Sequence, residues 1–262
     1  MLASSGRMEI KMKLGAQLFS LRDECDTPEK LLNCLREVKK IGYDCAQASG
    51  ISAIEPELFK SYIDEVNLPI TCTHRAFTEI CDNTEFCVNF HKIIGCNVIG
   101  LGAMNEEYRK SYEGLVEFKK KIIEPIKKIN DAGLRFAYHN HAFDFETPDG
   151  VQVYDYLINE IPELDFIHDV YWSAYAGKKP EDYIRQFAAA GRMDHVHFKD
   201  MKEAPQGPIC ACGEGIIDFA HLTNVCREVG INYVYVEQDN APTYGSLSEM
   251  AKSYQNLKDI FK

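Results

Sequence analysis

The chain has 262 residues, 45% of them hydrophobic and 26% charged, which is ordinary for a globular protein long enough to bury a full core. A net charge of −11 argues against a nucleic-acid backbone or an anionic membrane as a partner, and weakly against a polyanionic substrate. Ten scattered cysteines without a CxxC pair indicate a reducing compartment, and so a cytoplasmic protein.

Residues 1–11 read as a loose tail. The opening MLASSGRMEIKMK lacks the apolar stretch of a secretory signal. No window approaches the roughly 18 apolar residues of a membrane span. The first strand-like run is KLGAQLFS. A helix follows, with Thr27 as cap, Pro28 at its first position and Glu29 at its positive end. Leu31, Leu32, Leu35, Val38 and Ile41 form its apolar stripe. The runs YDCAQA, PITCTH and NVIGLG come next, with a helix starting at Asn83/Thr84 before the last of them. The segment from about Ser111 to Asp131 is a long helix in which Pro125 predicts a kink.

The second half continues with RFAYHN, LDFIHD, MDHVHFK and YVYVE. Helices begin at Lys179-Pro180-Glu181 and at Asp218, and SLSEMAKSYQNLKDIF forms the last one. Gly42, Gly95, Gly133, Gly191 and Gly230 each stand where a glycine ends a helix before a strand. Eight strand–helix units in about 250 residues predict a single-domain (β/α)8 barrel over residues 12–262. An open doubly wound sheet would carry a glycine-rich phosphate loop after its first strand, and SLRDECDTP is not one.

Four successive strands end in groups fit for metal ligation or proton transfer. They are RFAYHNH (His139, His141), LDFIHDVYW (Asp169), MDHVHFKD (His197, Lys199) and YVYVEQD (Glu237, Asp239). In a barrel such ends converge on one rim, and Gln17, Gln47 and His74 end earlier strands in the same way. Mixed imidazoles and carboxylates suit a divalent ion of borderline hardness. His195, His197 and Lys199 alternate and share a face. His197 is nearer the rim and is the expected ligand, with His195 a core histidine. One of His139 and His141 is a ligand, and the other contacts substrate. Lys199 binds substrate oxygen, moves a proton, or pairs with Asp200 or Glu237. Trp172 either receives a sugar face or packs in the core. Asn140 and His168 lie on the opposite face and are structural, whereas His91 and His221 sit on helices and are expected to be solvated. Glu214 lies in a Gly-Glu-Gly turn within reach of a substrate, and Cys210 and Cys212 are read as loop thiols.

LGAQLFSLRD, KKIGYDCAQ, AYHNHAFDF, HDVYW, HVHFKD, GEGIIDF and YVEQD, in this order, resemble the xylose isomerase-like TIM barrels. The resemblance spans residues 12–262 and is strongest to the sugar phosphate isomerase/epimerase branch. Inosose dehydratase and the endonuclease IV type of AP endonuclease are relatives. The resemblance implies one divalent metal, often manganese, held by His139, Asp169, His197 and Glu237. Cobalt, iron, zinc and magnesium are the other candidates. Many relatives carry glutamate where this chain has His139, and often where it has Gln47, which puts a symmetric two-glutamate epimerisation in doubt.

The expected activity is a metal-dependent sugar isomerase or epimerase, on a small keto-sugar, polyol-derived or sugar-phosphate substrate, through a metal-stabilised enediolate. Glu237, Lys199 and His141 are the expected catalytic residues. Gln17, His74, Trp172 and Asp239 are the expected substrate contacts. A lyase or dehydratase acting on a keto-sugar or inosose is the second reading, and a non-catalytic sugar- or metal-binding barrel is the third class. AP endonuclease chemistry is more distant, because DNA binding favours a basic face. The sequence is compatible with a homo-oligomer.

Overall fold

Eight short runs rich in Val, Ile, Tyr, Phe and Cys pair in parallel and close on themselves. In the computed structural model, which describes residues 12–262, the barrel strands are β1 (Lys13–Gln17), β2 (Cys45–Ala48), β3 (Ile70–Arg75), β4 (Val98–Leu101), β5 (Arg135–His139), β6 (Asp165–Asp169), β7 (Met193–Phe198) and β10 (Tyr233–Val236). The closing pair is β1 with β10, with Lys13 opposite Tyr233. A small antiparallel ribbon, β8 (Asp200–Met201) with β9 (Ile209–Cys210), grows from the loop after β7. The fold is the single-domain (β/α)8 barrel expected from the sequence. The expected tail, residues 1–11, lies outside the described residues.

The helix signals are realised where the sequence placed them. The Thr27 hydroxyl accepts the Lys30 N–H at the start of Pro28–Ile41, and Asp218 caps Phe219–Val229 through the His221 N–H. All five helix-ending glycines have positive φ. The helix Tyr112–Asp131 is continuous through Pro125. Among the described residues no helix is long and apolar enough to cross a membrane.

Strand periodicity builds the site. Cys45, Cys72, Val98, Ala137, Ile167 and Tyr235 point inward and form a small apolar plug inside the barrel. Two residues further along, the same faces present Gln47, His74, Gly100, His139, Asp169 and Glu237. A third rung follows with Gly102, His141 and Asp239. On β7 the same alternation gives His195, His197 and Lys199. Gly100 leaves room for its neighbour: a Cβ there would stand 2.8 Å from the His74 ring and 2.3 Å from the Thr73 carbonyl oxygen. The main core lies between the barrel and its helices.

Two expectations are corrected. His91 is fully buried, because it continues the inward stripe of the helix Thr84–Ile94 with Cys87, Phe90 and Ile94. Its Nε2 lies 2.7 Å from the Thr73 hydroxyl and its Nδ1 2.6 Å from the Cys87 carbonyl oxygen. Glu214 is exposed and faces the ammonium groups of Lys252 (3.5 Å) and Lys202 (3.8 Å), which take it up as surface charge. Asp200 makes no pair with Lys199; its carboxylate accepts the N–H groups of Met201, Gly213, Gly215 and Ile217 and so shapes this turn.

Candidate metal centre

His139, Asp169, His197 and Glu237 converge at the C-terminal mouth of the barrel, and one potential ligand atom from each lies within 4.8 Å of all the others. All four are buried. His139 Nε2 is 3.4 Å from Asp169 Oδ2 and 3.7 Å from Glu237 Oε2, and His197 Nδ1 is 2.8 Å from Glu237 Oε2. Groups about 2.1 Å from one ion stand roughly 3–4 Å apart, and the two His139 distances fall in that range.

The hydrogen-bond pattern points to the same conclusion. His139 Nδ1 donates to the Gly102 carbonyl at 3.1 Å, and His197 Nε2 donates to Gln47 Oε1 at 2.6 Å. Each ring therefore turns its unprotonated nitrogen toward the carboxylates. His139 Nε2 and Asp169 Oδ2 are buried with no hydrogen-bond partner. Lone pairs that face one another in a dry site favour a cation between them, and the donor set of two imidazoles and two carboxylates fits a divalent metal. Cys210 and Cys212 take no part in this cluster.

The surrounding residues hold the ligands in place. Asp169 Oδ1 accepts the N–H groups of Tyr171 (2.8 Å) and Trp172 (3.3 Å), which leaves Oδ2 for the centre. Asn140 Oδ1 accepts the Asp169 backbone N–H at 2.8 Å, so the residue facing away from the barrel axis still fixes a ligand. His168 is buried between the Tyr154 hydroxyl (3.2 Å) and the Ser173 hydroxyl (3.1 Å), as a structural residue. His195 lies nearly parallel to Tyr233 and Tyr235, at ring distances of 4.8 and 5.7 Å, and remains outside the cluster.

Lys199 is fully buried beside the centre. Its Nζ is 2.9 Å from Asp239 Oδ2, 3.5 Å from Asp169 Oδ2 and 3.6 Å from Glu237 Oε2. It also sits 4.8 Å from the Trp172 ring centroid. Burial alone would lower its pKa, but Glu237, Asp169 and Asp239 hold it above the ordinary range. Burial pushes the two ligand carboxyls up, yet the Lys199 ammonium brings Glu237 well below the usual range and Asp169 below it. Burial raises Asp239, with Lys199 opposing. Burial, reinforced by neighbouring imidazoles, keeps His74 and His141 neutral, well below the usual histidine value.

A cavity of about 430 Å³ opens over the centre, with His74, His139, His141, Glu237 and Asp239 in its wall. Its volume is within the range of small-molecule sites. The His141 ring stacks on Phe143 at 5.0 Å and stands 5.4 Å from Trp172. Gln17 is buried one strand away, where its Oε1 accepts the Phe19 N–H while Nε2 has no partner. The sequence reading did not single out Gln47 as the orienter of His197, nor Asp144, whose carboxylate accepts the His141 N–H and the Tyr138 hydroxyl, each at 2.7 Å. Gln47 was visible as a polar strand end, but its partner lies 150 residues away.

The family model described as xylose isomerase-like TIM barrel matches residues 35–259. Among solved structures, the chain is similar to a sugar phosphate isomerase/epimerase from Parabacteroides distasonis ATCC 8503, with 19% identity and a TM-score of 0.78 over 100% of this chain and 98% of that one. It is also similar to the probable 3-DHS dehydratase AsbF from Bacillus anthracis, with 14% identity and a TM-score of 0.73 over 94% and 99% of the two chains. A third is the IOLI protein with a binding zinc atom, with 15% identity and a TM-score of 0.69 over 95% and 98%. No curated protein matches the chain. At these identities the solved structures share the fold, while the family match covers most of the sequence. The chain belongs to the xylose isomerase-like TIM barrel family.

Proposed function

We propose that this chain is a divalent-metal-dependent sugar isomerase or epimerase acting on a small keto-sugar, polyol-derived or sugar-phosphate substrate. The observation that carries the proposal is the pair of buried atoms without a hydrogen bond, His139 Nε2 and Asp169 Oδ2, 3.4 Å apart and facing Glu237 at the floor of an open cavity. A divalent ion held by His139, Asp169, His197 and Glu237 would supply Lewis acidity to neighbouring substrate oxygens. Manganese, cobalt or iron suits this donor set better than magnesium, and zinc enters the comparison through the IOLI structure.

Glu237, ionised by its neighbours, is the group we assign to take the proton from the carbon beside the carbonyl. Lys199 stays charged and offsets the negative charge that develops on the enediolate oxygen. Its raised pKa favours this electrostatic role over proton donation. His141 is neutral, with Nδ1 unpartnered, and suits a hydrogen bond to a substrate oxygen. His74 and Asp239 line the same cavity, and the unpartnered Nε groups of Trp172 and Gln17 are further donors for hydroxyls. Ten unpaired cysteines agree with a cytoplasmic location. Glu237→Gln should abolish turnover of ketohexoses while leaving the circular dichroism spectrum unchanged. A fully active variant would overturn the assignment.

A lyase acting on a keto-sugar or inosose is the second reading. One observation favours it: among the described residues the cluster holds one glutamate, with His139 at the fifth strand end and Gln47, taken up by His197, at the second. Elimination needs no second, mirrored base. Incubation with a keto-inositol separates the two, since an enone absorbance marks elimination and an isomer of unchanged mass marks isomerisation.

A further inference from the structure

The turn Leu18–Glu24, which follows β1, gives the metal centre no ligand, yet it grips the chain immediately after Glu237. Ser20 Oγ accepts the Gln238 N–H at 2.8 Å. One Arg22 guanidinium nitrogen donates to the Asp239 carbonyl oxygen at 3.0 Å, and the other donates to the Phe19 carbonyl oxygen at 2.8 Å. Arg22 thereby bridges the first and last barrel loops, across 217 residues of sequence. The guanidinium also lies 4.5 Å from the Phe19 ring centroid. The loop after β2 backs this pair, since a Cβ on Gly50 would stand 2.9 Å from the Phe19 ring and 3.4 Å from Arg22 Cβ. A planar fork of donors seated in this way fixes the backbone of Asp239.

Asp239 is in turn the nearest partner of the Lys199 ammonium. Its carboxylate lies 2.9 Å from Nζ, against 3.5 Å for Asp169 and 3.6 Å for Glu237. Three carboxylates share one cation, so the position of Asp239 decides how far that cation leans toward the two metal-facing carboxylates.

We propose that Arg22 is a positioning residue of the centre. It holds Asp239 where the carboxylate draws Lys199 away from Asp169 and Glu237. The link to metal binding rests on the function proposed above.

The test is a double-mutant cycle on the full chain, comparing wild type, Arg22→Met, Lys199→Met and the double variant. Arg22 is partly exposed, and methionine keeps an apolar stem beside Phe19 while removing both hydrogen bonds. Calorimetric titration with manganese should show binding at least about tenfold weaker in Arg22→Met, the scale of one hydrogen bond to a charged group. Arg22→Lys keeps the charge without the fork and should lose less. In the Lys199→Met background the Arg22 change should cost nothing, because the cation it restrains is gone. Weakening of equal size in both backgrounds, or none in the first, would overturn the inference.

A metal-free reading comes from Trp172, the single tryptophan, whose ring centroid lies 4.8 Å from Lys199 Nζ. Arg22→Met should shift its fluorescence emission when Lys199 is present and leave it unchanged in Lys199→Met. No shift, or one that persists without Lys199, would also overturn the inference. A wild type that binds no manganese but shows this Lys199-dependent shift would sink the proposed metal centre and leave the role of Arg22 standing. Manganese binding that is indifferent to Arg22 would do the reverse.

Discussion

Gln47 and His197 meet across the barrel, with Gln47 Oε1 2.6 Å from His197 Nε2. The amide oxygen accepts the imidazole proton, and this leaves His197 Nδ1 as the nitrogen that faces Glu237 at 2.8 Å. Partners of this kind tune ligands by fixing tautomer and ring orientation. Gln47→Leu should weaken manganese affinity about 10- to 100-fold in a calorimetric titration. Gln47→Glu retains an acceptor and should lose much less. Wild-type affinity in Gln47→Leu would remove Gln47 from the account of the centre.

Lys199 competes with any cation at the centre, because its ammonium already lies within 3.6 Å of two ligand carboxylates. Lys199→Met should therefore bind manganese more tightly than the wild type. Turnover should fall about 10²- to 10³-fold, the range for losing one charge-stabilising donor. Tighter binding with reduced turnover separates the two roles. Weaker binding would show that Lys199 organises the carboxylates instead of competing for them.

Three buried histidines outside the centre make the fold sensitive to acid. Burial pushes His91 down to about 4, and His168 and His195 to about 3, from an ordinary value of 6.5. Between these values the unfolded chain binds protons that the folded chain refuses. Their contribution to stability is thus full above pH 6.5 and is lost as pH falls toward 4 and 3. Asp144 works in the opposite direction. Burial raises its carboxyl to about 7 from 3.8, so its contribution is greatest below pH 3.8 and is lost as pH rises through 7. Three groups outweigh one, and the melting temperature should fall between pH 6.5 and 4.5. In Asp144→Asn the fall should be steeper, because the opposing group is gone. A melting temperature that rises on acidification would contradict these burial effects.

The barrel and its rim were legible because each strand carries the same two-residue alternation. Tyr235 and Glu237, Ile167 and Asp169, and Ala137 and His139 are each an apolar plug residue followed by a ligand. The same alternation separates His197 from His195. Residues whose roles depend on distant partners were not legible. Nothing local shows that Gln47 reaches His197, or that Asn140 clamps the backbone of Asp169. The burial of His91 follows from its place in a helical stripe with Cys87 and Phe90, a signal overlooked because the residue is polar. The four N–H groups around Asp200 come from a turn that folds back over 17 residues, beyond the reach of sequence spacing.

Bound manganese per chain, measured in the wild type and in two single variants, tests the metal centre most directly. The wild type should hold one ion. His197→Ala should lose it while remaining folded. His195→Ala should keep the ion and instead melt earlier, at a cost of about 2–4 kcal/mol for the space opened beside Tyr233 and Tyr235. A wild type that binds no divalent ion, or a His195→Ala variant that loses the ion while His197→Ala keeps it, would contradict the account.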